Sequence, residues 1–349
     1  MKRKKGSVVA GTILAIGLIL VGASFLMGPI DFHGFDFEDV TNYQNEYTEI
    51  FSNPQINKIY VSTLNGYIQV ESWENDYVQI EVKQRCAGYS EKKMEELFES
   101  TKPEITFLGS SMRIVTPRLS KTSFFKSYGV SISVKVPHNL INNVETKTSN
   151  GSLKFSNLNA QIIGSTSNGS IDLSNVDGDI DLRTSNGSIS LLKVSGEAKL
   201  DSSNGKFYAS GFMGSLHVET SNASIEIEDS QAQVYLRTSN GSIYVRDSSL
   251  LGASNTLKTS NGKIVLDSAL PDSGQLKLTT SNGGIEFVMP YGTGAVITAN
   301  TSNGKIILDN VPILTEEIGK TSISGSIYGG GDLHIELSSS NSDIKISGK

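Results

Sequence analysis

The sequence predicts an all-β protein: a parallel β-solenoid of two-sided coils of 18 to 21 residues, with an irregular β-rich cap before it and one apolar helix at the N-terminus. Three observations lead there. Asparagines recur at fixed spacing, each with an apolar side chain three residues later. A second alternation of apolar and polar residues runs nine residues further round each repeat. The single cysteine, Cys86, excludes an intramolecular disulfide framework, so stability rests on packing and backbone hydrogen bonds.

Composition sets the limits. With 349 residues, 37% hydrophobic and 19% charged, the chain can bury a sizeable core and is too apolar for wholesale disorder. The net charge of −6 is uneven, because Lys2, Arg3, Lys4 and Lys5 open the chain and no acid precedes Asp31. Without those four, 26 basic residues face 36 acidic ones, a balance of −10 that offers no field for phosphates and excludes nucleic acid as an expected partner.

Residues 1–6 read as a basic cytoplasmic tail and residues 7–29 as a transmembrane signal-anchor. Between residues 8 and 27 the only non-apolar side chains are three Gly, one Thr and one Ser, a run long enough to cross a bilayer. The basic flank places the tail inside and the rest outside, a single-pass topology with an extracytoplasmic C-terminal domain. A cleaved signal peptide ending at Val21-Gly22-Ala23 is the alternative, but Phe25-Leu26-Met27 continues the apolar run past it. Residues 30–44 form a linker in which Phe32, Phe35 and Phe37 alternate with acids.

Residues 45–140 are expected to cap the solenoid, since an open terminal coil would expose a sheet edge. Strands are predicted at 59–61, 67–70, 77–82, 105–107 and 112–115, and Val130, Ile132, Val134 and Val136 alternate in another. Residues 90–98 read as a short capped helix with Met94, Leu97 and Phe98 facing inward. Cys86 continues the parity of Val78, Ile80 and Val82 and is expected to be packed rather than reactive.

Residues 141–349 hold the repeats. Asn150, Asn168, Asn186, Asn204, Asn222 and Asn240 are 18 apart; Asn261, Asn282 and Asn303 follow at 21, Ser324 holds the next slot, and Asn341 comes 17 later. The fullest form is Thr184-Ser185-Asn186-Gly187-Ser188-Ile189-Ser190-Leu191. A two-strand coil cannot bury its apolar side alone, so the coils are expected to stack in sequence, each pairing with its neighbours at about 4.8 Å. The asparagines form a structural ladder, Thr shares the inward parity, and Asn-Gly supplies the positive φ of a sharp corner. That inward Thr excludes the outward Thr rows of ice-binding solenoids, and the Gly-Gly-x-Gly-x-Asp pattern of calcium-binding rolls is missing.

A membrane-proximal anchor, the element Asn65-Gly66-Tyr67-Ile68-Gln69-Val70 and the long Thr-Ser-Asn-Gly-x-Ile array resemble the putative-adhesin family of bacterial β-solenoid proteins, which includes the LiaG-like proteins of the cell envelope. The resemblance covers roughly residues 45–349. It implies a location at the cell surface and transfers no catalytic or binding residue.

Four features are candidate sites. Stacking places Asp181, Lys199, His217 and Tyr235 in one outward row of the sheet opposite the Asn-Gly strands, with Asp179 and Glu197 on one side and Arg183, Asp201, Glu219 and Arg237 on the other. Carboxylates with a cation suit polysaccharide lyases and hydrolases, so an enzyme would use Asp179, Asp181, Lys199 and His217; cross-strand charge pairing explains the same pattern without catalysis. Inserts in the later coils bring Leu250, Leu251, Leu270, Tyr291, Ile313 and Leu314 to one edge, as a ridge for a partner or as self-packed loops. Lys121, Phe124, Phe125 and Lys126 combine cations with aromatics for contact with lipid or an envelope protein. Gly329-Gly330-Gly331 lacks the features of a nucleotide loop, and His33, His138, His217 and His334 are scattered without metal-ligand spacing, so neither a metal nor a cofactor is expected. The resulting expectation is a membrane-anchored, non-catalytic binding or structural protein whose partner is cell-wall polymer or an envelope protein; the alternative is a polysaccharide-active enzyme.

Overall fold

The computed structural model describes residues 41–52, 54–88, 91–119 and 127–349. The expected anchor at 7–29, most of the linker, and Lys121, Phe124, Phe125 and Lys126 lie outside the described residues. Among the described residues no helix is long and apolar enough to cross a membrane.

Each coil is built from two short strands whose inward positions are apolar. In one coil Ile171 and Leu173 meet Ile180 and Leu182 across the interior, and the same slots hold Ile189 and Leu191 with Ala198 and Leu200 in the next. Polar residues occupy the alternate, outward positions, as in the strand Gln231–Arg237, whose side chains alternate exposed and buried along its whole length. Neighbouring 18-residue coils pair in parallel and in register: Ile171 lies beside Ile189, Ile189 beside Phe207, and Phe207 beside Ile225, with a bulge between Arg246 and Ser248 where the longer coils begin. Slipping one residue would turn every Ile and Leu outward, each at a cost of about 1.5–3 kcal/mol, so the register is strongly fixed.

The first sheet holds the strands that follow the Asn corners and the second holds the return strands. At the Asn corner, Nδ2 of each asparagine donates to Oδ1 of the one before it, as from Asn168 to Asn150 and from Asn186 to Asn168, both at 2.7 Å. Beneath this exposed ladder the buried Thr row ties adjacent coils together. Thr166 Oγ1 accepts from the Gly169 N–H at 3.2 Å and donates to the Gly151 carbonyl of the preceding coil at 2.9 Å.

The expected positive φ at Asn-Gly does not occur. The left-handed residues stand at the opposite corner, where Asn157, Asn175, Lys193, Asp229 and Asp247 have φ between 48° and 56°. Glycine is favoured at the Asn corner for a different reason. A Cβ on Gly169 would lie 1.8 Å from the carbonyl oxygen of Gly151, so the backbones there approach too closely for a side chain without a local shift, and of the ladder corners Ala223 and Ser342 alone carry one.

Stacking also departs from chain order at both ends. The last coil does not sit outermost: the strand Ile344–Gly348 pairs with Ile285–Met289 on one side and Ile306–Asp309 on the other. Asn341 accordingly donates to Asn282 at 2.6 Å and accepts from Asn303 at 2.7 Å. Ser324 takes no ladder position, because Ser322–Ile327 runs antiparallel to Ala295–Thr301 and to Ile313–Ile318. The chain passes outward, turns in this hairpin, and returns to fill the level it had skipped.

The N-terminal end repeats the device. Residues 58–73, within the expected cap, form a coil of the solenoid, and Asn65 accepts from Asn150 as the first rung. Strand Ser127–Pro137 packs outside this coil, and residues 138–142 then cross it to start the strand Asn143–Lys147 on its inner side. The antiparallel strands Thr41–Ser52 and Tyr77–Gly88 extend the first sheet, while Glu104–Leu108 closes the second. Helix Glu91–Ser100 buries Met94 and Leu97 against Cys86. The buried Gln84 amide fastens it, donating to the Phe98 carbonyl at 2.7 Å and to Thr101 Oγ1 at 3.0 Å.

Candidate functional surfaces

The second sheet brings Asp181, Lys199, His217 and Tyr235 together as cross-strand neighbours in one outward row. Alternation puts Asp179 outward on the adjoining row and Arg183 and Asp201 on the other side. Arg183 Nε stands 3.3 Å from Asp181 and 3.6 Å from Asp201, so the guanidinium fills the space between the two carboxylates. His217 stacks on Tyr235 with ring centroids 4.5 Å apart, and its Nε2 lies 3.4 Å from Glu219. These are lateral contacts between half-exposed side chains along the sheet surface. Asp181 and Asp201 share the Arg183 guanidinium of their own face, the cross-strand charge pairing of a solvated sheet, and Asp179 stands exposed beside them.

The inserts of the later coils are dispersed. Leu250 is buried in the core beside Ala232, while Leu251 is exposed next to it. The loop lifts backbone out of the coil, and buried Asn255 fills the gap: its Nδ2 donates to the Leu251 carbonyl at 2.9 Å and its Oδ1 accepts from the Val234 N–H at 2.9 Å. Leu270 packs half-buried against the core. Tyr291, 83% exposed, meets Tyr328 edge-to-face at 5.5 Å. Because the strand Asp332–Ser339 is inserted between Ser273–Thr279 and Ala295–Thr301, the 329–331 turn separates Leu270 from Tyr291. Ile313 and Leu314 lie on the edge strand, Ile313 half-buried and Leu314 exposed. A continuous ridge from Leu250 to Leu314 is therefore not formed.

Two concavities escaped the sequence reading, and both follow from the way the ends are built. At the N-terminal end, Phe51, Ser52, Pro54, Gln55, Ile56 and Phe107 line a groove of mixed polarity of about 480 Å³, with Phe51 and Phe107 edge-to-face at 5.4 Å. The second, of about 390 Å³, opens where the coil of residues 58–73 leaves the stack before making its second corner. Asn139, Asn157, Asn175, Asp177 and Lys193 line it. Ser72 Oγ lies 2.8 Å from His138 Nδ1 and donates to the Asn157 carbonyl, and His138 Nε2 lies 3.2 Å from Glu74. The 18-residue recurrence of Asn139, Asn157, Asn175 and Lys193 was the available signal for this corner.

Burial pushes the Cys86 thiol up to about 11 and the Tyr47 hydroxyl higher still, the latter helped by Glu49 and Glu99. Neither is poised for chemistry at neutral pH.

The family model for Toastrack DUF4097 matches residues 56–347. The chain belongs to that family. The match begins two residues before the coil that carries Asn65 and ends in the inserted last strand, so it spans both locked ends. Among solved structures, the Toastrack chain is similar to a putative cell adhesion protein from Clostridium sporogenes, at 13% identity and TM-score 0.31, over 88% of this chain and all of that one. It is also similar to a putative adhesin from Bacteroides fragilis, at 11% identity and TM-score 0.35, over 87% of this chain and 97% of the other. A putative lipid binding protein from Parabacteroides distasonis matches at 11% identity and TM-score 0.25, over 87% and 97% of the two chains. No curated protein matches the sequence.

Proposed function

We propose that this Toastrack protein is a non-catalytic binding or structural rod, held at the outside of the cell membrane by residues 7–29 and presenting its faces to cell-wall polymer or an envelope protein. The observation that carries the reading is the pairing on the second sheet, where Arg183 lies between Asp181 and Asp201. A polysaccharide lyase or hydrolase needs convergent groups around a sugar, whereas a display rod needs rigidity and an extended surface. The Asn ladder, the buried Thr row and the interleaved ends supply that rigidity.

The test uses the full chain in detergent micelles, sedimented with purified cell walls. Retention without release of soluble sugar, unchanged by His217→Ala and Asp181→Ala, is the expected result. Sugar release abolished by both substitutions would replace this reading with the enzyme. External protease on intact cells tests the topology: digestion of the region after residue 41 is expected, and protection of it would contradict the exported orientation.

A further inference from the structure

Nine Asn-Gly pairs lie in this chain, at Asn65, Asn150, Asn168, Asn186, Asn204, Asn240, Asn261, Asn282 and Asn303. Asn-Gly is the dipeptide in which the following backbone nitrogen most easily reaches the side-chain carbonyl. In eight of the nine, that nitrogen is engaged. The N–H groups of Gly151, Gly169, Gly187, Gly241, Gly262, Gly283 and Gly304 donate to the Thr three residues before, at 3.1 to 3.3 Å, and Gly205 donates to Ser202 at 2.9 Å.

Asn65-Gly66 is the exception. Thr63 Oγ1 donates to the Val130 carbonyl at 2.9 Å, as Thr166 does to Gly151, but the Gly66 N–H makes no hydrogen bond among the described residues. The layer next to this coil is the cap strand Ser127–Pro137 and not another Asn-Gly corner. Asn65 also differs in its place on the ladder. Its Oδ1 accepts from Asn150, while its Nδ2 donates to no other rung. Every asparagine further along uses Nδ2 to hold its neighbour.

We propose that the Thr clamp restrains self-deamidation along the ladder and leaves Asn65 as its modification site, at the one rung where losing the amide nitrogen breaks no ladder bond. The Gly66 nitrogen attacks Cγ of Asn65, its proton passing to solvent. The Cγ–Nδ2 bond breaks and ammonia leaves. Water then opens the succinimide to aspartate or isoaspartate. A carboxylate at 65 still accepts from Asn150, whereas one at 168 would face the Asn150 carbonyl oxygen. The remaining unclamped rung, Asn222, is followed by Ala223, whose methyl hinders ring closure.

The experiment incubates the full chain at pH 8.5 and 37 °C, both native and unfolded in guanidinium, and reads each site by peptide mass spectrometry. Breaking the clamp before attack corresponds to about tenfold in rate, so the native-to-unfolded slowing at Asn65 should be at least about tenfold smaller than at the eight clamped sites. Equal protection at all nine, or an unmodified native Asn65, would overturn the proposal. Thr166→Val is expected to open Asn168 while Thr166→Ser keeps it closed; identical rates in the two folded variants would also overturn it.

Discussion

At Ala223 a single methyl shows what the corner glycines do. The equivalent methyl on Gly205 would stand 1.6 Å from the Gly187 carbonyl, and on Gly241 1.8 Å from the Ala223 carbonyl. The Ala223 coil yields, and its clamp is lost: Thr220 Oγ1 is buried without a partner. Ala223→Gly should restore the clamp and stabilise the fold by about 1 kcal/mol, read as a raised midpoint in denaturant unfolding. Lys193 occupies a left-handed position that Asn holds in the two preceding coils, so Lys193→Asn should stabilise by about 0.5–1 kcal/mol in the same measurement. Alkali acts in the cap. The Cys86 thiol ionises near 9 when unfolded and at about 11 when folded, so between those values the unfolded chain binds fewer protons and stability falls as pH rises. The raised Tyr47 hydroxyl adds to the loss from about pH 10 upward. Cys86→Ala should flatten the lower part of that decline, seen as unfolding midpoints at pH 8, 9 and 10.

At the scale of elements, the interleaved ends make deletion costly. Removing residues 340–349 takes out a strand lying between Ile285–Met289 and Ile306–Asp309, together with the Asn341 rung. Both neighbours then lose their partner across a gap of two strand spacings, about 9.6 Å. The expected outcome is loss of the single cooperative transition, with the region after residue 285 becoming protease-sensitive first; an outermost coil would instead come off with a small, local loss. The inward Ile and Leu and the Asn spacing were readable because period-two alternation and an 18-residue repeat follow directly from half-buried strands and identical coils. The skipped level was not, because Ser324 and Ile327 keep the coil pattern while lying in a hairpin: Ile327 is fully buried there, and burial fixes the residue type but not the direction of its strand. The strand Thr41–Ser52 was missed for a related reason. It is an edge strand with no deeply buried side chain along its described positions, and its half-buried parity of Tyr43, Tyr47 and Phe51 is interrupted by the polar Asn45 and Glu49, which weakens the alternation in sequence.

For the whole molecule, the two ends explain how a stack of open coils remains closed without cysteine pairing. In each, a coil is filled by a segment distant in sequence, and no terminal coil can peel away alone. The charged outer row was legible from spacing, whereas the two concavities are lined by residues far apart in sequence that only the folded stack brings together. Coil order is thus the claim on which the rest depends, and an engineered disulfide reads it directly. In a Cys86→Ala background, cysteines replacing Asn282 and Asn341 lie at adjacent rungs of the corner ladder within disulfide reach, while cysteines replacing Asn282 and Asn303 lie two levels apart, beyond the roughly 7 Å limit. Oxidation should cross-link the first pair and leave the second as free thiols. Cross-linking of 282 to 303, with 282 and 341 remaining apart, would show that the coils stack in chain order and would contradict the account.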